Sequence, residues 1–135
     1  MLAKAFNAHL YSDWLAYVSA IPTKEALCYL IGVAACRTDL ICHPQFKGVN
    51  GPVREFQFLD QAKALRFAFI INRASLLFYF RRPAVSSGMY ELRKLQAVFP
   101  TTSPDNYGQW RVRIVSLEDA RKLAQFIAPA RAHET

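Results

Sequence analysis

Apolar residues recur at three- and four-residue intervals over residues 2–21, at Ala3, Phe6, Leu10, Trp14, Tyr17, Val18 and Ile21, the signature of one buried helical stripe. Pro22 is expected to end this first helix. A second stripe follows: Thr23 offers a hydroxyl N-cap, Glu25 suits the positive end of a helix dipole, and Leu27, Leu30, Ile31 and Ala34 predict a helix over 24–36. From Arg37 to Pro52 the periodicity dissolves into Asp39, Pro44, Gly48, Asn50, Gly51 and Pro52, which read as an irregular loop.

A period of two then takes over. Phe56 and Phe58 alternate with Glu55 and Gln57, predicting a short strand over 53–59. The strongest β pattern is Leu65–Ile71 followed by Leu76–Arg82, joined by Asn72-Arg73-Ala74-Ser75 as a hairpin loop. Pro83, which has no N–H to donate, stops the ladder. Ser86, Ser87 and Gly88 lead into a third helix at Met89–Phe99, with Leu92, Leu95, Val98 and Phe99 inward and Pro100 closing it. Residues 101–108 read as a second loop. Gln109–Val115 alternates as a strand, with Trp110, Val112 and Ile114 on one side and Arg111 and Arg113 on the other. Ser116 caps a fourth helix, Leu117–Ile127, whose stripe is Leu117, Ala120, Leu123, Ala124 and Ile127, with Glu118 and Lys122 one turn apart. The tail from 128 has no period and is expected to fray.

These elements predict an α+β class and a single domain over 1–135: a helical part, 1–36, then a sheet with its packing helices, 53–127, and the tail, 128–135. The sheet is expected to be antiparallel, of three to four strands, with about four helices in all. The second half is a hairpin-helix-strand-helix unit. Hydrophobic residues make up 53% of the 135, and mean hydropathy is +0.05, an apolar excess that predicts a covered surface. Residues 1–36 carry only Lys4, Asp13, Lys24 and Glu25 as charges. A homodimer or protein partner is therefore expected through Phe6, Trp14 and Leu30. Three cysteines, Cys28, Cys36 and Cys42, and a start without a secretory pattern favour a reduced, cytoplasmic compartment. The longest nearly uncharged apolar run, Ala26–Cys36, has 11 residues, short of the roughly 20 that span a bilayer, so no membrane is expected.

Charge changes the picture more than composition does. Residues 1–60 hold five Lys/Arg and five Asp/Glu, and residues 61–135 hold twelve and five, so the whole net charge of +7 lies in the second half. A basic excess confined to one segment points to a polyanion, nucleic acid first. Strand parity places Leu65, Phe67, Phe69, Ile71, Leu76, Phe78 and Phe80 toward the helices and Arg66, Ala68, Ile70, Leu77, Tyr79 and Arg81 away, joined by Gln109, Arg111 and Arg113. Arginines two apart on a strand are about 6.6 Å apart, close to the spacing of successive phosphates, and Tyr79 adds a stacking surface. Arg82, Arg93 and Lys94 extend the positive surface. Exposed arginines on an open sheet face are also the ordinary solubilising arrangement.

Catalytic and metal chemistry find little support. Cys36, Cys42 and His43 lack a C-x2-C knuckle, so a zinc site does not assemble and buried free cysteine is the better reading. His9 and His133 have no carboxylate at an orienting spacing. Glu55, Asp60 and Lys63 are the ingredients of a metal-dependent nuclease in no nuclease spacing, and read as surface charge. No phosphate loop or nucleophile elbow is present. No enzyme activity, metal or cofactor is expected.

Phe67-Ala68-Phe69, the run Leu76–Phe80 before Arg82-Pro83, the Leu92–Leu95 helix, Trp110 with Val112, and the closing helix together resemble the MmcQ/YjbR-like small α+β domains over about half the chain. Gln109 stands where that group often has His, and the closing Ser-Tyr of its last helix is absent. The resemblance implies a double-wing topology, an architecture associated with DNA binding. The expected function is a nucleic-acid-binding module, DNA favoured, contacting phosphates without reading bases. The rival is a non-enzymatic regulator or inhibitor, of phage or bacterial origin, that binds a larger complex.

Overall fold

The computed structural model of the chain describes residues 1–3, 8–48 and 51–129. Among them lie five helices, α1 (Ala8–Tyr17), α2 (Ile21–Cys36), α3 (Arg82–Ser86), α4 (Leu92–Val98) and α5 (Leu117–Phe126). Six strands, β1 (Ile41–Gly48), β2 (Gly51–Leu59), β3 (Leu65–Ile71), β4 (Leu76–Phe80), β5 (Ser103–Pro104) and β6 (Trp110–Ile114), form one sheet in the order β1-β2-β3-β4-β6-β5. Every neighbouring pair is antiparallel. The α+β class stands, with six strands where the sequence predicts three to four and five helices where it predicts about four.

The core grows from a repeated Phe-x-Phe. Phe56 and Phe58 in β2, Phe67 and Phe69 in β3, and Phe78 and Phe80 in β4 fall on one face because side chains alternate along a strand. The register sets Phe56 against Phe69 and Phe58 against Phe67, then Phe69 against Phe78 and Phe67 against Phe80. This lattice of six rings is at most 1% exposed. One row stacks, with Phe56–Phe69 centroids 5.3 Å apart at 23°, while in the other Phe67 and Phe80 meet edge to face at 5.3 Å and 90°, both favourable geometries for aromatic quadrupoles. Trp110, Val112 and Ile114 continue the buried face, as their alternation predicts.

The described helices cover that face. Trp14 of α1 packs against Phe56, Phe126 of α5 against Phe80, and α2 lies beside α5. No described helix is long and apolar enough to cross a membrane. The first helix starts later than its stripe suggests: Met1–Ala3 instead run extended along β1, with Cys42 N–H donating to Met1 O (2.8 Å) and Ala3 N–H to Cys42 O (2.9 Å). Phe6 lies outside the described residues. Pro22 opens α2 rather than closing α1, since a first-turn N–H has no helical partner to lose. Thr23 is consequently not the cap. It is buried in the first turn, where its hydroxyl donates to Ala74 O (3.0 Å) and approaches Val115 O (3.4 Å), pinning α2 to the β3–β4 loop and the end of β6. Ile21 and Val98, both expected inward, are exposed. Ser116 caps α5 as expected, its hydroxyl accepting from Asp119 N–H at 3.2 Å.

The expected loop at 37–52 holds β1. Pro44 can sit there because β1 is the first strand of the sheet, where one side of the backbone owes no ladder bond. The second loop likewise hides β5, whose Pro104 lies at the opposite edge. Two short corrections follow at β4: the strand stops at Phe80, and Arg82-Pro83 begin α3 instead of ending the ladder in coil. The expected tail is outside the described residues from 130 on.

Candidate nucleic-acid interface

Among the described residues, no helix packs on the face opposite the phenylalanines. Its central row follows from the register alone: His43 against Gln57, Gln57 against Ala68, Ala68 against Tyr79, Tyr79 against Arg111, and Arg111 against Ser103, one residue from each strand. A parallel row runs Gln45, Glu55, Ile70, Leu77, Arg113. The polar residues are thus the x positions of the Phe-x-Phe repeat and its continuation across β1 and β6. Gln57 and His43 belong to the platform although sequence reading did not single them out; the alternation around Phe56 and Phe58 is the signal for Gln57.

Charge is uneven along these rows. Glu55 lies toward the β1 side and pairs with Arg81 at 2.7 Å, while Gln57 donates to Glu55 at 2.7 Å. Arg81 also donates to Gln109 Oε1 at 2.6 Å and stands over the Tyr79 ring at 4.7 Å, leaving its buried Nε without a partner. This guanidinium is therefore committed to holding the face together. Arg111 and Arg113 are different. Both are exposed on β6, and neither has a side-chain hydrogen bond or ion pair among the described residues. Arg111 faces Tyr79 across the strands, so an exposed cation and an aromatic ring stand side by side.

A shallow hollow at the rim, lined by Leu65, Arg81, Arg82, Pro83, Tyr107 and Gln109, continues the platform. Arg82 Nε donates to Tyr107 O at 2.6 Å. Tyr107, in the turn before β6, is 66% exposed. Its turn is built by Asp105, whose carboxylate accepts from the Tyr107 and Gln109 N–H groups (2.8 and 3.0 Å). Desolvation pushes the Asp105 carboxyl up, but these bonds and the nearby Arg111 outweigh it and hold the group below its ordinary value. Gly108, at φ 75°, closes the turn in the left-handed region that favours glycine.

Three expected cations lie elsewhere. Leu59 pairs with Leu65 through a register shift next to Phe58, a bulge that reverses the parity of Leu65 and Arg66. Leu65 turns to the rim hollow, and Arg66 turns to the helix-covered side, beside Phe67, Met89 and Tyr90. Arg93 and Lys94 ride on α4, reached from Tyr90, whose ring packs on Phe67 and Phe80 beneath the helices. They do not join the sheet face.

The remaining candidates separate as well. Cys42 is buried, its thiol pushed by burial up to about 11. His43 points to the other face, and Cys36 is exposed on α2. No described group of three or more His, Cys, Asp or Glu is placed to hold a metal ion. Glu55 serves Arg81, while Asp60 accepts from Ala62 and Ala64 N–H in a turn that also places Lys63 at φ 64°. Trp14 and Leu30, expected at a subunit contact, are buried in the chain's own core, packed there by the Phe lattice. Comparison with protein-family models, curated proteins and solved structures returns no match for this chain.

Proposed function

We propose that the chain is a nucleic-acid-binding module, with DNA favoured, that lays its ligand across the uncovered sheet face. The observation that carries this reading is the pair Arg111 and Arg113: two exposed cations at successive outward positions of β6, neither held in an ion pair or side-chain hydrogen bond among the described residues, beside Tyr79. Their spacing of about 6.6 Å lets each meet one phosphate of a single backbone. Tyr79 and Tyr107 offer rings to unpaired bases, and Arg82 adds a cation at the rim. Arg81 acts by orienting Tyr79. Binding is expected to depend on charge and shape with little base readout. The resemblance to MmcQ/YjbR-like domains supports the same reading.

The second reading, a regulator that binds protein, draws on the Ile70–Leu77 pair. Both residues are half-buried on the open face directly beside Arg113, an apolar spot with a basic border that fits an acidic protein surface.

Replacing Arg111 and Arg113 by Gln separates the two. Affinity for fluorescein-labelled duplex and single-stranded oligonucleotides is measured by anisotropy across salt. On duplex DNA the slope of log affinity against log salt should shallow by about 0.9 per lost contact, and on a single strand by about 0.7. The far-UV spectrum should not change. Undiminished binding by the folded variant, or no binding by the unaltered protein at low salt, refutes the nucleic-acid reading.

A further inference from the structure

A second site lies on the helix-covered side, at the end of the sheet where β2 turns into β3. There a cleft of about 390 Å³ is walled by Leu40, Ala62, Phe67, Met89 and Pro129 and receives polar groups from Arg37, Asp39, Asp60, Arg66 and Tyr90. Its size is within the range of small-molecule sites, and an apolar wall with a few convergent polar groups is their usual make-up.

Most of those polar groups are spent. Arg37 donates from Nε and Nη2 to Asp39, both at 2.7 Å, and from Nη1 to Ile127 O at 2.8 Å, closing the end of α5. Hydrogen bonding from Arg37 holds the Asp39 carboxyl below its ordinary value, against the opposing effect of burial. Asp60 Oδ1 is taken by two backbone N–H groups. Arg66 is the exception. Its side chain is 19% exposed, yet the Asp60 carboxylate stays 3.8 Å away, and its hydrogen bond is to Met89 Sδ at 3.6 Å, a weak acceptor. Its only oxygen partner among the described residues is that long ion pair, so Arg66 keeps N–H groups open to the cleft, and a charged donor's hydrogen bonds are the strong ones. Tyr90 supplies the second unused donor: its ring is fixed against Phe67, Phe80 and Phe126, and its hydroxyl has no partner among the described residues.

We propose that this cleft binds a small monocarboxylate, its carboxylate on the Arg66 guanidinium and the Tyr90 hydroxyl and an apolar or aromatic body against Phe67, Met89 and Leu40. What selects the monoanion is which charges are free: Arg37 is spent on Asp39, the Met1 ammonium donates to the Arg37 and Leu40 carbonyls, and Arg66 alone is left to meet an anion, too little for a phosphoryl dianion placed beside Asp39 and Asp60. The planar fork of Arg66 matches a carboxylate with two parallel bonds.

Benzoate, with benzamide as its neutral isostere and phenyl phosphate as the dianion, tests this by titration into ¹⁵N-labelled protein. The Ala62, Arg66, Met89 and Tyr90 amides should shift and saturate with benzoate at a dissociation constant on the order of millimolar. Benzamide and phenyl phosphate should each bind at least about tenfold more weakly. Arg66→Gln should weaken benzoate about tenfold or more and Tyr90→Phe about threefold. Benzoate and benzamide shifting these amides alike, phenyl phosphate binding as tightly as benzoate, or benzoate binding unchanged in a folded Arg66→Gln variant would each overturn the proposal. Should Arg66→Gln fail to fold, the three-probe comparison on the unaltered protein and Tyr90→Phe decide the matter.

Discussion

Phe78 and Tyr79 are neighbours in β4 whose side chains leave opposite faces, and their truncation separates the two sides of the sheet. Phe78 is fully buried, with the rings of Phe58, Phe67, Phe69 and Phe80 at centroid distances of 6.0, 5.8, 6.4 and 5.8 Å. Phe78→Ala removes on the order of 100 Å² of buried apolar surface from the centre of the lattice. At about 25–30 cal/mol per Å² that is about 2.5–3 kcal/mol. Four ring neighbours held in register by hydrogen-bonded strands cannot collapse into the hole, so the cavity raises the loss to roughly 3–5 kcal/mol. Against a typical total of about 5–15 kcal/mol this brings the protein close to unfolding. Tyr79 is half-exposed, and its main contact is the Arg81 guanidinium at 4.7 Å; Tyr79→Ala should cost about 1 kcal/mol. Urea unfolding followed through Trp14 and Trp110 fluorescence measures both. Equal losses for the two variants would show that the face assigned to the ligand is a covered one, and a loss below about 1 kcal/mol for Phe78→Ala would displace the core from the lattice.

Ser116→Ala should destabilise by about 1 kcal/mol in the same assay, because it orphans the Asp119 N–H at the start of α5, while Ser116→Asp should retain most of the cap; equal losses would rule out the capping role. Of the three cysteines, Cys28 and Cys36 should react with a thiol reagent in the native protein and Cys42 only on unfolding, and fast labelling of all three would contradict the packing of β1. The same thiol sets a pH dependence. Burial raises Cys42 from 9.0 to about 11, so above pH 9 the unfolded chain sheds a proton that the folded chain keeps, and stability falls until about pH 11. Cys42→Ala should remove that part of the fall, and an unchanged profile would exclude Cys42 as its source.

The lattice itself was readable because alternation writes burial directly into sequence: Phe56, Phe58, Phe67, Phe69, Phe78, Phe80, Trp110, Val112 and Ile114 all face inward as their spacing requires. The α5 cap was readable for a related reason, since Ser116 and Asp119 act over three residues and need nothing from the rest of the chain. Thr23 shows the limit of such local logic. A hydroxyl caps only when it stands just before the first helical residue; α2 begins at Ile21, so Thr23 lies within the first turn, and its O–H is donated instead to the backbone oxygens of Ala74 and Val115, 51 and 92 residues away. The edge strands failed for a different reason. Pro44 and Pro104 argue against a strand when every backbone group must be paired, and that condition lapses at the margins of a sheet. With β1 and β5 missing, the sheet appears narrow and its open face smaller than six strands make it.

Arg66 shows how much function can depend on one inserted residue. Parity assigns it to the same face as Tyr79 and Arg111, and without the shift beside Phe58 it would add a cation to that platform. The bulge absorbs one residue of β3, and every side chain before it exchanges faces: Leu65 goes to the rim hollow with Arg82 and Tyr107, and Arg66 goes to the cleft with Tyr90. Bulges arise from the pairing of two strands, so neither Leu65 nor Leu59 announces one alone. The consequence is a division of the basic residues into two chemistries. Arg111 and Arg113, on a regular strand and open to solvent, are suited to the screened, repeated charge of a polynucleotide backbone. Arg66, largely withdrawn from solvent and short of acceptors, suits a single carboxylate that displaces little water and meets a fork already oriented. Because the two sites lie on opposite sides of the sheet, Arg66→Gln should leave oligonucleotide affinity and its salt slope unchanged while it weakens benzoate. A joint loss would mean that the bulge does not turn Arg66 away, and that its charge belongs with Arg111 and Arg113 after all.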